Sequence, residues 1–555
     1  MLLIIGLDGA TWDLIDPWIA AGRLPHLERL RGQGLWGPLA STVPPTTFPS
    51  WSTFMTGVNP GKHGIFDFTR RQLGTYDVQF VNASFRKAPT IWKLLSDAGR
   101  RVGVLGVPGT YPPEDVNGCM ISGFDTPVTT RADASFVRPP TLAPLVEHLG
   151  GFPFADFQEF RVGPRWYRMA LERLLHGIET KTRLALALLP REDWDCFLLL
   201  FGESDTVAHH FWKFHDVTSP WFDAEGAVEF GDAILQVYKA LDAAIGALVS
   251  TAPGAAVLVA SDHGFGGAGN KAVYLNRWLA QLGLQRRHER TGSQLSARLK
   301  CAALRCVPAH LQAQLFRLQH GRWANWLESR SRFAGIDWTG TRAFSEELNY
   351  FPSVWLNLKG REPQGVVERA DYRRVRDDIC VAAEELRDPE HGRSVVRRAW
   401  RREELYDGRW TEYAPDVILE FNHDRGYSYR CLSSTSARAP EAVRVLGASE
   451  STGGKLAGMS GSHRPEGIFL LSAPGLTLTR DRQRQVVIAD MAPTILQLCG
   501  IDPPGGLDGR VLDGVPAPRF ETDNPATEPF ASERVYSPAE ESEIGARLAA
   551  LGYLE

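Results

Sequence analysis

The chain has 555 residues, 43% apolar and 23% charged, enough for two or three average domains or for one large enzyme core carrying insertions. A net charge of −4 and a pI near 6.4 give no sign of a nucleic-acid polymer or an anionic membrane as the chain's main partner. Seven cysteines, odd in number and without a CxxC pair, argue against a disulfide framework and against a thiolate zinc site. No apolar run approaches the roughly 18 residues that a membrane span needs. The first residues, MLLIIGLDGATWD, lack the basic start of a secretory signal, and the chain reads as cytoplasmic.

Leu2 to Gly6 is an apolar run of strand length, followed by Asp8 in LDGATWD. Asp16–Pro17 reads as a helix N-cap with proline at the first helical position, and Pro25 starts a second short helix running to Arg31. Strand followed by helix opens an α/β unit. Next comes STVPPTTFPSWSTFMTGVNPGKHGIFDF, from Ser41 to Phe68. There Pro44, Pro45 and Pro49 stiffen the backbone around Thr46 and Thr47, ahead of a helix over 50–56. A hydroxyl held at a helix entrance is well placed as a nucleophile, because the helix N-terminus offers free N–H groups to an anion. Helix is expected over 89–98 and 166–189, and strand over 101–107 and 196–201. The last of these runs into GESDTVAHHFW, where Asp205 and His209, four apart, share one helix face. A helix over 227–249 precedes a buried-type strand, 255–260, that ends in SDHGFGG with Asp262 and His263.

From 271 to 399 the pattern changes, and this segment reads as a cap inserted into a core formed by 1–270 and 400–515. Residues 286–332 hold ten Lys or Arg against Glu289 and Glu328, with Phe316, Trp323 and Trp326. This basic stretch reads as a cap face that attracts anionic substrates. The alternative is an amphipathic contact with anionic lipid, a peripheral membrane contact that is not favoured. A mixed-charge helix is expected over 366–387. The core is expected to resume at a strand over 416–421. A Gly/Ser-rich loop then leads to His463, followed by a strand over 467–471, a helix in ADMAPTILQLCGI, and a turn with a short strand in GLDGRVL. The tail, 516–555, ends in a short helix with a Ser537–Pro538–x–Glu540 capping box.

Asp8, Asp205 with His209, and Asp262 with His263 all fall just beyond predicted strands, and His463 just before one. In open α/β sheets the carboxyl ends of the strands form the ligand crevice. Three Asp, three His and one hydroxyl suit two adjacent divalent metals, and imidazole with carboxylate suits Zn, Mn or Fe. In this order, LDGATWD, PPTTFPSWSTFMTGVNPGKHGI, ESDTVAHH, ASDHGF, GSHRPEGIFLL and IADMAPTILQLCGI resemble the alkaline phosphatase superfamily. The resemblance is to its type I phosphodiesterase/nucleotide pyrophosphatase branch and the related phosphohydrolases and phosphomutases.

The resemblance implies an α/β fold with a mostly parallel central sheet flanked by helices. It implies two divalent ions, zinc or else manganese, one on Asp205, His209 and His463 and the other on Asp8, Asp262 and His263. Thr47, which precedes Phe48–Pro49 as the family's hydroxyl does, would be both ligand and nucleophile, with Thr46 as fallback. The implied activity is hydrolysis of a small phosphorylated or phosphodiester substrate through a phospho-enzyme; a phosphomutase or phosphomonoesterase is the alternative. A sulfatase is disfavoured, because Thr47–Phe48–Pro49–Ser50–Trp51 lacks the Cys/Ser-x-Pro-x-Arg signature. One position departs from the pyrophosphatase pattern: Phe68 stands where those enzymes carry an Asn. Arg70, Arg71 or the backbone N–H of Phe48 would then have to hold the developing charge. His63 reads as structural and His210 as support for the site.

Overall fold

The computed structural model describes residues 1–127, 134–154, 164–288, 332–333, 335–434, 440–447, 459–477, 485–516 and 535–550. Its largest sheet has eight strands. Their order is Leu35–Ala40, Glu466–Ser472, Ala256–Ala260, Leu2–Leu7, Cys196–Phe201, Val102–Leu105, Gly118–Ile121 and Val137–Arg138. The five strands from Ala256–Ala260 to Gly118–Ile121 run parallel, whereas Glu466–Ser472 and Val137–Arg138 pair antiparallel to the block.

The sheet is covered on both faces, so its central strands are continuous apolar runs. Along the first strand, Leu3, Ile5 and Leu7 enter one core with residues of helices Pro164–Leu188, Glu203–His215 and Ala233–Thr251. Leu2 and Ile4 enter the other, with helices Thr47–Thr56, Ile91–Asp97 and Met491–Leu498. The stretch Ala224–Thr251 is long and apolar enough to cross a bilayer by length and composition. Its Ile234, Val237, Leu241 and Ile245 are, however, core residues against the sheet.

Two smaller sheets lie beside this core. Gly264–Val273, not expected as a strand from sequence, is a ten-residue strand that pairs with Tyr427–Cys431, Val443–Val445 and Gly461–Arg464. A four-stranded sheet orders Ala343–Phe344, Ser353–Leu356, Val417–Phe421 and Val396–Arg401, with helix Tyr372–Glu384 packed on it around a separate apolar cluster. The strand expected to resume the core, over 416–421, therefore belongs to this inserted sheet. Asp416 explains the placement, accepting from the Leu356 N–H at 2.7 Å and from the Arg361 guanidinium.

Two local expectations change, and one strand was not expected. The first helix begins at Trp12, capped by Thr11, with Pro17 inside it; Asp16 pairs with Arg31 instead of capping. GLDGRVL forms no strand, because Asp508 turns back to accept from Asn59 N–H and Leu512 alone reaches the core. Leu35–Ala40 is a strand despite Pro38; it is the sheet's edge, where a missing N–H is tolerated. The capping box at Ser537 is present, with Glu540 accepting from Ser537 N–H at 2.7 Å. The basic stretch 286–332 lies outside the described residues except at 286–288 and 332, as do 517–534 of the tail.

The inserted sheet is tied to the core by a buried ion pair between Arg71 and Glu362, whose side chains are 2% and 1% exposed. Arg71 also lies over the rings of Phe344 and Trp355. Glu362→Gln leaves that guanidinium buried without its charge partner. The expected loss is about 3 kcal/mol of unfolding free energy, read as a lowered urea midpoint; an unchanged midpoint would show that the pair does not secure the insert.

Candidate metal centre

Three neighbouring parallel strands, Ala256–Ala260, Leu2–Leu7 and Cys196–Phe201, end side by side, and each releases an acidic residue at its carboxyl end. Asp8 follows Leu2–Leu7 directly, Asp262 and His263 follow Ala256–Ala260, and Asp205 sits in the first turn of helix Glu203–His215, which follows Cys196–Phe201. His209 lies one turn further along that helix. His463 comes from the Gly461–Arg464 strand, which pairs across from Phe265. The turn after Asp8 needs Gly9: its φ is +64°, and an added Cβ would lie 3.2 Å from Asp205 Oδ1. Ser204 and Ser261 lace the loops together by donating to the carbonyls of Asp8 and Ala10.

All seven sequence-expected residues converge. His209 Nε2 lies 3.4 Å from Asp205 Oδ1 and 3.1 Å from His463 Nε2, and His463 Nε2 lies 3.5 Å from the same carboxylate oxygen. His263 Nε2 lies 3.3 Å from Asp262 Oδ2, 3.6 Å from Asp8 Oδ1 and 3.3 Å from Thr47 Oγ1. Two sets of donor atoms, Asp8–Asp262–His263 and Asp205–His263–His463, each fall within 4.8 Å of one another.

The hydrogen bonds around the rim aim these atoms inward. His463 Nδ1 donates to the Pro45 carbonyl at 2.9 Å and His263 Nδ1 to the Gly264 carbonyl at 3.0 Å, a tautomer that follows from the acceptors. His209 Nδ1 faces the Gly461 carbonyl and the Tyr350 hydroxyl. The His263 and His463 rings therefore turn an Nε2 lone pair toward the centre. His209 Nε2, 3.1 Å from His463 Nε2, is close enough for one cation to be held by both rings. Each of two aspartates is likewise anchored by one oxygen, Asp8 Oδ2 by Trp51 Nε1–H and Asp262 Oδ1 by Gly9 N–H. Asp8 Oδ1 and Asp262 Oδ2 are buried with no hydrogen-bond donor.

Electrostatics lead to the same conclusion. Burial, with Asp262 and Asp205 nearby, holds the Asp8 carboxyl well above the usual range, and burial pushes Asp262 up to about 8. Burial also opposes the Asp205 carboxylate, but the His209 imidazole beside it outweighs burial and holds that carboxyl below the usual range. Burial, reinforced by the neighbouring imidazoles, keeps His263 and His463 neutral. Among the described residues no Lys or Arg is ion-paired with Asp8 or Asp262. A buried, acid-rich donor set with imidazole nitrogens turned inward suits divalent cations, and the residues present fit two of them.

Thr47 is the first residue of its helix, and its hydroxyl meets His263, whereas the Thr46 hydroxyl donates to the Tyr350 carbonyl at 3.2 Å. Between the two hydroxyls, Thr47 is the one at the centre. The N–H of Phe48 precedes the helix's first bond, Ser50 to Thr46, and has no intrahelical acceptor. Phe68 packs on Phe48 at 4.3 Å in an aromatic group with Phe124. Arg71 is held by Glu362, which removes it as a substrate ligand, and Arg70 lies over Phe85 and Tyr413. His63 accepts from Ile65 N–H and bonds Thr53, and burial, with Arg86 nearby, pushes it down to about 3, a neutral brace for the helix. His210 packs edge-on against Trp166.

Tyr350 was not foreshadowed by any motif. It lies in the insert, stacks on His463 at 4.1 Å and 16°, and places its hydroxyl 3.3 Å from His209 Nδ1. A lone Tyr in ELNYFPS has no spacing to mark it.

A family model described as type I phosphodiesterase / nucleotide pyrophosphatase matches residues 2–444, a range that includes every centre residue except His463. Among solved structures the chain is similar to phosphonoacetate hydrolase from Sinorhizobium meliloti 1021 in complex with phosphonoformate. The TM-score is 0.53 at 16% identity, covering 90% of this chain and 95% of that chain. It is also similar to human ectonucleotide pyrophosphatase / phosphodiesterase 5, with TM-score 0.44 at 14% identity over 92% of this chain and 96% of that chain. At such identity the first likeness speaks for the fold alone.

Because Tyr350 orients a ligand from outside the donor set, Tyr350→Phe should weaken metal retention about tenfold. Competition dialysis against a chromogenic chelator measures this; retention equal to wild type would show that the hydroxyl does not hold His209 in place.

Proposed function

The chain belongs to the type I phosphodiesterase/nucleotide pyrophosphatase family of the alkaline phosphatase superfamily, and from that premise we propose a two-metal phosphoester hydrolase with Thr47 as nucleophile. The observation that carries the proposal is the meeting of the Thr47 hydroxyl with the two donor sets at the ends of three adjacent strands. Asp205, His209 and His463 would hold one ion. Asp8, Asp262 and His263 would hold the other, with Thr47 completing its ligands. The imidazole and carboxylate mixture suits zinc, with manganese as the alternative. Divalent ions held there lower the pKa of a bound hydroxyl and offset charge on phosphoryl oxygens.

The residues of the chain do the rest. Thr47 Oγ1 forms a bond to phosphorus as the bond to the leaving-group oxygen breaks, and its proton passes to that oxygen or to solvent. Water then cleaves the phosphothreonine and restores the hydroxyl. The helix starting at Thr47 points its positive end at the phosphoryl group, and the Phe48 N–H is the donor available there. Phe68, Phe48 and Phe124 make an apolar wall where a polar side chain would otherwise aid that donor. The substrate we propose is a small phosphoester or phosphodiester.

Metal analysis and hydrolysis of bis-p-nitrophenyl phosphate and p-nitrophenyl phosphate test this. The expected result is about two metal ions per chain and diester turnover. Thr47→Ala should reduce that turnover by about 10³ or more without loss of metal. A chain that stays metal-free after incubation with Zn or Mn, or a Thr47→Ala variant with full turnover, would overturn the proposal.

A further inference from the structure

Arg430 lies in the Tyr427–Cys431 strand with its side chain buried, 4% exposed. Arg71, Arg86, Arg332, Arg376 and Arg547, buried like it, each have a carboxylate within 4 Å. Arg430 has none among the described residues. Its Nη2 donates to the Met459 carbonyl at 2.6 Å, its Nε has no acceptor, and its guanidinium carbon lies 5.1 Å from the centre of the Trp221 ring. Burial pushes it down to about 10, which leaves it charged at neutral pH. A buried guanidinium with one carbonyl acceptor, an Nε without one and no carboxylate among the described residues is poorly compensated, and an anion would complete it.

Its place in the fold is beside the metal centre. One peptide group, Met459–Ser460, connects the two: its carbonyl accepts from Arg430, and its N–H donates to the His209 carbonyl at 2.7 Å. On the other side, the neighbouring Cys431 N–H donates to Asn349 Oδ1 at 3.1 Å, and Asn349 adjoins the Tyr350 ring that lies on His463.

We propose that Arg430 binds a second oxyanion of the substrate, a carboxylate or a phosphate joined by a short linker to the reacting phosphorus. This rests on the two-metal reading, with the phosphoryl group at the metals and the second anion on the guanidinium. It narrows the substrate to molecules with two anionic ends. Planar bidentate recognition is what an arginine supplies and a lysine does not.

The test is calorimetric titration of the zinc-loaded full chain with three matched ligand series having two or three methylenes. These are alkylphosphonates, the corresponding ω-phosphonocarboxylates and the α,ω-bisphosphonates, with metal content measured on the same samples. At least one doubly anionic series should bind about ten- to a hundredfold tighter than its alkylphosphonate partner, and the tighter series identifies the oxyanion. In Arg430→Gln that ratio should fall to about one, and in Arg430→Lys it should be intermediate. The second variant decides the matter where the first does not fold. Equal binding of all series by wild type, or a ratio that survives in Arg430→Gln because the arginine only props the Met459–Ser460 peptide, would overturn the proposal. Zinc content separates the two readings. A metal-loaded chain without the preference sinks only this inference, whereas a chain that takes up no zinc sinks the two-metal reading and this inference with it.

Discussion

Three carboxylates brought together out of water are the constraint on which the rest of the molecule depends. Asp8, Asp205 and Asp262 are each no more than 3% exposed. Left alone, such a group is paid for only by protonation or by cations. Without a cation, burial favours the protonated form of Asp8 and Asp262. The surrounding structure anchors one oxygen of each with Trp51 and Gly9 and sets the His263 imidazole beside the others, an arrangement that suits a cation. The parallel sheet makes this crowding possible because adjacent strands all end at one edge.

The segment that carries the four-stranded sheet also reaches the centre. Its Tyr350 accepts from Thr46, lies on His463 and meets His209, and its Asn349 braces the strand that carries Arg430. The pair Arg71–Glu362 anchors the same insert to the hairpin that follows the Thr47 helix. A chain segment with its own apolar cluster and sheet thus shapes the site from the side opposite the strands. Differences in substrate between proteins of this architecture then arise naturally in the insert, while the strand ends stay with the chemistry.

How legible the site was depended on how local its causes are. Asp8, Asp205 with His209, and Asp262 with His263 follow apolar runs directly, so strand periodicity alone places them at one edge, and the motif resemblance supplied Thr47 and His463. The Gly264–Val273 strand is poorly marked because glycine is a weak strand former; its glycines are needed where side chains and backbone press close, as at Gly266 beneath Arg464 and Gly267 beneath Tyr427. Leu35–Ala40 was hidden by Pro38, which only an edge position allows. Tyr350 and Arg430 had no signal at all, since their roles come from contacts between segments far apart in the chain. Arg71, adjacent to the right loop, was drawn off by Glu362, 291 residues away.

The position of Glu466–Ser472 sets the order in which the protein can be completed. This late segment lies between Leu35–Ala40 and Ala256–Ala260, and His463 precedes it by three residues. During synthesis the edge strand near the N-terminus has no neighbour until more than four hundred further residues have been added, and the open side of the central block at Ala256–Ala260 waits for about two hundred. Contacts of such long range close last. The nascent chain therefore carries Asp8, Asp205, His209, Asp262 and His263 through the synthesis of about two hundred residues before His463 joins them. Closure of the sheet and arrival of the last imidazole are a single event, so a chain interrupted before it lacks the imidazole that completes the donor set.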